Sequence, residues 1–166
     1  MKRTLIVMRH AKTESQQICQ KDFERNLLKK GEEDALYMSK RLLKKNIIPE
    51  LIIASSANRT QQTASIVADT LGLSTSKIIF LQQLYLCDDR TIETSVTSLP
   101  DECQTCMIIG HNPGVSDFIF ETSPQIPHID LPTAGLVVLS CDADNWQAFP
   151  NTKKTIELYD YPNIKL

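Results

Sequence analysis

The sequence has little of what marks several large classes of protein. Three histidines among 166 residues leave sparse material for an imidazole-rich metal site, and no metal or other cofactor is expected. The five cysteines, Cys19, Cys87, Cys103, Cys106 and Cys141, are odd in number and irregular in spacing. That argues against a disulfide framework and for a reducing, cytoplasmic setting. No apolar run approaches the roughly 20 residues of a membrane-spanning helix. There is no basic block, and the net charge is −2, so neither nucleic acid nor a membrane surface is an expected partner. Lys2-Arg3 followed by apolar residues faintly mimics a signal peptide, but the run is too short and lacks a small-residue cleavage site; the start is read as mature structure. With no internal repeat, low-complexity linker or break in composition, residues 1–166 read as one domain, expected to be a monomer.

What is present is a series of short apolar runs separated by helical patterns. Residues 4–8, 51–54, 78–81, 107–109, 136–139 and 155–158 read as strands. Residues 31–45 carry Ala35, Met38, Leu42 and Leu43 at helical spacing, with Pro49 beyond the exit. A second helix is capped by Ser56, shows the stripe Ala64, Val67, Ala68 and Leu71, and is closed by Gly72. A short helix is expected over 91–99, and another starting at Pro113, where a missing N–H costs nothing. Short strands that do not alternate, interleaved with helices, predict an α/β fold: three αβα layers around a mainly parallel central sheet.

In such sheets ligands bind beyond the carboxyl ends of the strands. The first strand ends on Arg9 and His10. The second is followed by Ser55-Ser-Ala-Asn-Arg59, and the strand at 107–109 by Gly110-His-Asn-Pro-Gly114. Two arginines and two of the three histidines therefore fall at one edge of the sheet. A guanidinium is permanently charged and its fork matches pairs of phosphate oxygens. A neutral imidazole is a nucleophile, and a helix start favours an anion. Singly, an Arg-His dipeptide is surface decoration and a Gly-x-x-Pro-Gly segment is a turn. Jointly they fit phosphoryl transfer through a phosphohistidine.

These residues also carry a resemblance. Leu5-Ile-Val-Met-Arg-His-Ala-Lys12 resembles the opening motif of the histidine phosphatase superfamily, with Ala11 where that family usually has glycine. Arg25-Asn-Leu-Leu-Lys-Lys-Gly31, Ser55-Ser-Ala-Asn-Arg-Thr-Gln-Gln-Thr-Ala64 and Gly110-His-Asn-Pro-Gly114 resemble its later motifs, in the right order. The Arg-His-Ala-Lys variant and the small size are most similar to the SixA-type phosphohistidine phosphatases. The resemblance implies a phosphoglycerate-mutase-like fold, with His10 as nucleophile and Arg9 and Arg59 as clamps on the phosphoryl oxygens. It implies His111 as a hydrogen-bond donor to the same group, and Arg25 and Asn112 as substrate-binding residues at the rim. It further implies a phosphorylated partner, either a protein carrying phosphohistidine on a carrier or phosphorelay domain, or a small phosphorylated substrate.

One part has no motif. Ester-cleaving members of that superfamily are expected to offer a carboxylic acid in mid-chain. Asp88, Asp89, Glu14 and Glu93 are the available candidates, each better read as a solvated surface charge. Cleaving P–N needs an acid less than cleaving P–O to an unactivated alkoxide, since imidazole takes a proton from solvent and leaves neutral. Rival readings are a general phosphomonoesterase or phosphoglycerate mutase, and a phosphate-binding module without turnover, against which the retained His10 stands. Cys19-Gln-Lys-Asp-Phe-Glu-Arg25 matches the spacing of cysteine-dependent phosphatases, but Asp22 and Glu24 would repel a phosphate there, and the match is read as coincidence. Thr133-Ala-Gly135, before a late strand, reads equally as a segment touching the site and as a plain turn, and is left out of the catalytic set.

Overall fold

The computed structural model describes residues 1–162, so the last four residues of the expected domain lie outside the described part. Ten regular elements follow one another as β1 (Lys2–Arg9), α1 (Lys29–Lys44), β2 (Leu51–Ser55), α2 (Asn58–Leu71), β3 (Ile78–Leu81), α3 (Asp89–Thr97), β4 (Thr105–Gly110), α4 (Gly114–Thr122), β5 (Leu136–Asp142) and β6 (Thr155–Asp160). The strands form one sheet in the order β3-β2-β4-β1-β5-β6. From β3 to β1 every pairing is parallel. β5 and β6 add an antiparallel edge. Among the described residues, no helix is long and apolar enough to cross a membrane.

The inner strands β1, β2, β4 and β5 carry buried apolar runs because both faces of the sheet are covered there, whereas the edge strands β3 and β6 are partly exposed. Along β1, Leu5 and Val7 face a core shared with Ile92 and Val96 of α3, Phe118 of α4, and Trp146 and Phe149. Ile6 and Met8 face the opposite core, with Ala35, Met38 and Leu42 of α1 and Ala64 and Val67 of α2. This two-residue alternation yields the expected three layers.

Local expectations hold unevenly. Ala35, Met38 and Leu42 of α1 are buried, but Leu43 is 45% exposed. One residue past Leu42 is about 100° around the helix, off the buried face. Ser39 takes the inner position, its hydroxyl donating to the Ala35 carbonyl. Met38→Ala should therefore destabilise by about 2–5 kcal/mol. Leu43→Ala should stay within about 0.5 kcal/mol. Urea unfolding of both variants tests this assignment of faces.

Ser56 does not cap α2. The cap position is Ala57, without a side-chain cap. Thr60 Oγ1 ties the turn instead, donating to the carbonyls of Ser55 and Ala57. α3 starts two residues before 91, because Asp88 Oδ1 accepts from both the amide and the hydroxyl of Thr91. Pro113 holds the cap position of α4 rather than its first helical position.

Candidate active site

The loop after β1 is fixed residue by residue. The amide of Arg9 donates to the Gly135 carbonyl at 3.0 Å and that of His10 to the Gly110 carbonyl at 3.1 Å. The Ala11 amide donates to Thr63 Oγ1, 3.1 Å away, and that hydroxyl donates to the Arg59 carbonyl. The Lys12 carbonyl accepts from the Leu28 amide. The tip of β1 is thus tied to β4, to the entry of β5, to α2 and to the residue before α1. The side chains on it are held before any ligand arrives.

His10 is 7% exposed, and its Nδ1 lies 2.8 Å from the Ala11 carbonyl oxygen. A carbonyl only accepts, so Nδ1 carries the proton and Nε2 keeps the lone pair. Burial above all pushes its pKa down to about 4; the Ala11 carbonyl lifts it, by more than either the Arg59 or the Arg9 charge lowers it. At neutral pH His10 is an uncharged imidazole with a nucleophilic Nε2. The His111 ring lies 5.3 Å from it, centroid to centroid, and His111 Nε2 meets Ser55 Oγ at 2.7 Å. Burial, then His10 and Arg59, push His111 down to about 3. Its Nδ1 is buried without a partner among the described residues.

The arginines divide their donors. Arg9 Nη1 donates to the Leu131 carbonyl at 3.0 Å, while its buried Nε has no partner among the described residues. Arg59 donates through Nη1 to the Asp22 carbonyl at 2.8 Å and through Nη2 to Asp22 Oδ2 at 2.9 Å. Arg25 donates to the Glu14 carbonyl, Asp22 Oδ1 and Thr13 Oγ1. Asn112 lends Nδ2 to Asp130 and the Leu131 carbonyl, and its Oδ1 accepts from Ser116. Arg25 and Asn112 thus brace the loops that frame the site.

Arg9, His10, Arg25, Arg59, His111 and Asn112 all line a single cleft of about 320 Å³. Lys12, Thr13, Asp22, Leu86 and Thr133 complete its wall. Of the mid-chain acid candidates, Asp88 caps α3, and neither Asp89 nor Glu93 lines the cleft. Glu14 accepts from the Gln20 side chain and the Asn26 amide. Cys19 is exposed and also outside the cleft wall, as a coincidental Cys-Arg spacing requires.

One reading left open is resolved, and one expectation needs correction. The Thr133–Gly135 turn belongs to the site: Thr133 lines the cleft, the Ala134 amide donates to the His10 carbonyl, and the Gly135 carbonyl accepts from Arg9. A carboxylate is also present in the cleft, and it is Asp22, which sequence reasoning treated only as a repelling charge. Partial burial pushes its carboxyl up, but hydrogen bonds from Tyr85, Arg25 and Arg59 pull it well below the usual range. The available signal was the three-residue spacing of Asp22 and Arg25, which form an ion pair.

Among proteins of known sequence, a chloroplastic protein of Arabidopsis thaliana is 31% identical over 159 residues, 90% of this chain and 68% of that one. Among solved structures, one assigned as the phosphohistidine phosphatase SixA of Nakamurella multipartitia superposes with a TM-score of 0.83 at 23% identity, covering 98% of this chain and 97% of that one. The protein histidine phosphatase SixA solved with tungstate gives a TM-score of 0.81 at 21% identity over 95% of this chain and 96% of that one. The family model for the histidine phosphatase superfamily (branch 1) matches residues 5–94, a span running from the strand that delivers His10, through the helix that delivers Arg59, into α3. That match takes in the Arg9-His10 tip of β1 and the Arg59 turn that opens α2 and spans more than half of the sequence: the chain belongs to the histidine phosphatase superfamily.

Proposed function

We propose that this phosphatase hydrolyses phosphohistidine on a partner protein. His10 Nε2 attacks phosphorus in line, and the P–N bond to the partner's imidazole breaks. That imidazole takes a proton from solvent and leaves neutral. Water then attacks phospho-His10, losing a proton, and phosphate departs with His10 restored. Arg9 and Arg59 offset the charge on the phosphoryl oxygens, and His111 Nδ1, buried without a partner among the described residues, faces the same task. The guanidinium groups supply the positive charge, so the reading is metal-independent.

One observation carries the choice of substrate. Asp22, the carboxylate of the cleft wall, is held well below the usual range and is ionised at any working pH. An ionised carboxylate has no proton to give an alkoxide, whereas an imidazole leaving group needs none from the enzyme. The same reading has residues 1–166 acting as a monomeric domain in a reducing, cytoplasmic setting, in keeping with five free thiols.

Phosphate release from a phosphohistidine-bearing carrier domain, p-nitrophenyl phosphate and glycerol phosphate tests this reading. The expected order of kcat/KM is phosphohistidine first, the activated aryl ester second, and the alkyl ester lower by several orders of magnitude. Equal rates on glycerol phosphate and phosphohistidine would instead make the chain a general phosphomonoesterase.

A further inference from the structure

Arg59 is 3% exposed, and two of its five N–H donors are committed to Asp22, one to the carboxylate and one to the main-chain carbonyl. Three donors remain for a phosphoryl group. Asp22 Oδ2 also accepts from the Tyr85 hydroxyl, and Oδ1 from Arg25. Three donors from three distant parts of the chain thus converge on one carboxylate.

Tyr85 adds contacts of its own. The Arg59 guanidinium carbon lies 5.9 Å from the centre of its ring, within the reach of a cation–π contact. Its edge meets His111 at 5.4 Å and 85°. On another side it meets Phe23, 5.0 Å away at 84°. Phe23 follows Asp22 in the same single 3₁₀ turn, Asp22–Glu24. One short turn therefore grips Tyr85 by ring and hydroxyl, and Tyr85 in turn abuts both Arg59 and His111.

We propose that Asp22, with Tyr85, is a positioning pair that holds Arg59 in the orientation the phosphoryl transition state requires. The physical gain is twofold. A free arginine side chain carries rotamer entropy that would otherwise be lost as the transition state forms. The carboxylate also offsets the repulsion among Arg9, Arg25 and Arg59, which would splay them apart in an empty cleft. Asp22 acts through Arg59 and takes no proton from, and gives none to, the substrate.

The proposal rests on the phosphatase reading, and a double-mutant cycle separates the two. Asp22→Ala, Arg59→Ala and the double variant are compared for kcat and KM on p-nitrophenyl phosphate, and for affinity toward orthovanadate, which needs no turnover. Asp22→Ala should lower kcat about 10²-fold, as misplacement of one charged group by an ångström does. It should also weaken orthovanadate. In the Arg59→Ala background the same substitution should cost nothing further. Tyr85→Phe, which removes one hydrogen bond and little volume, should give a smaller loss in the same direction and covers the case in which Asp22→Ala folds poorly. Additive losses would overturn the proposal. So would tighter orthovanadate binding in Asp22→Ala, which would make the carboxylate a resident competitor, or a loss confined to alkyl esters, which would make it a general acid. If wild type turns over no phosphorylated substrate yet the orthovanadate cycle is non-additive, the functional reading fails while the positioning pair stands.

Discussion

His10→Ala should abolish the phosphoenzyme and lower kcat by about 10⁴- to 10⁶-fold, the scale seen when an enzymatic nucleophile is removed. The geometry supports the proposed nucleophile atom by atom: the Ala11 carbonyl fixes the proton on Nδ1, which leaves the Nε2 lone pair for attack. Alkaline quenching during turnover of a radiolabelled phosphohistidine donor should trap label on wild type and none on the variant, since P–N bonds survive base. Label retained on His10→Ala would move the nucleophile elsewhere. The pH profile is a second reading of the same atom. A free histidine titrates near 6.5, but buried His10 titrates near 4, so its nucleophilic form persists well into acid. The acidic limb of kcat/KM contributed by the free enzyme should accordingly lie near pH 4 rather than 6.5. Linkage gives stability the same window. The folded pKa values of His10 and His111 lie below the unfolded value, so the unfolded chain binds more protons as pH falls from about 6.5. The stability these neutral rings contribute is present above pH 6.5 and is lost progressively down to about pH 4 and below. Replacing either ring with Asn should flatten that loss in thermal unfolding.

The convergence of Arg9, His10, Arg59 and His111 was legible because it follows from a topological rule. Three apolar runs each stop on polar residues, and parallel strands carry their carboxyl ends to one edge. The antiparallel β5–β6 edge was not legible, since composition sets how buried a strand is but not its direction. Asp22 and Tyr85 were invisible for another reason. Asp22 meets Arg59 across 37 positions and Tyr85 across 63, so no local period links them. Tyr85 stands three residues before Asp88 with no motif to single it out. Helix starts failed where the chain uses substitutes for the usual caps: Thr60, from within the first turn of α2, ties the main chain that Ser56 was expected to hold. Leu43 shows the limit of reading a stripe by eye: it falls about 100° past Leu42, beyond the face that Ala35, Met38 and Ser39 bury.

Gly31→Ala should be the most damaging small substitution away from the nucleophile. An added Cβ at Gly31 would stand 2.1 Å from the Lys12 carbonyl oxygen and 3.0 Å from the Lys12 amide nitrogen. Both neighbours are main-chain atoms, so no side chain can swing aside. That carbonyl also accepts the Leu28 amide just before α1. Relief requires α1 to back away from the loop that carries His10, two residues upstream. Overpacking against backbone costs about 3 kcal/mol or more, which for a chain of this size lowers Tm by roughly 6–12 °C. At a temperature where the variant is folded, kcat should still fall about 10-fold or more, because the displaced segment is the one that aims the nucleophile. Gly72→Ala is the matched control. It closes α2 at φ +74 with nothing within 4 Å of the new methyl, so it should cost only the roughly 1–2 kcal/mol of a left-handed non-glycine residue, with kcat unchanged. If both variants lose stability equally and both keep wild-type kcat, the Gly31 contact does not set the geometry of the His10 loop.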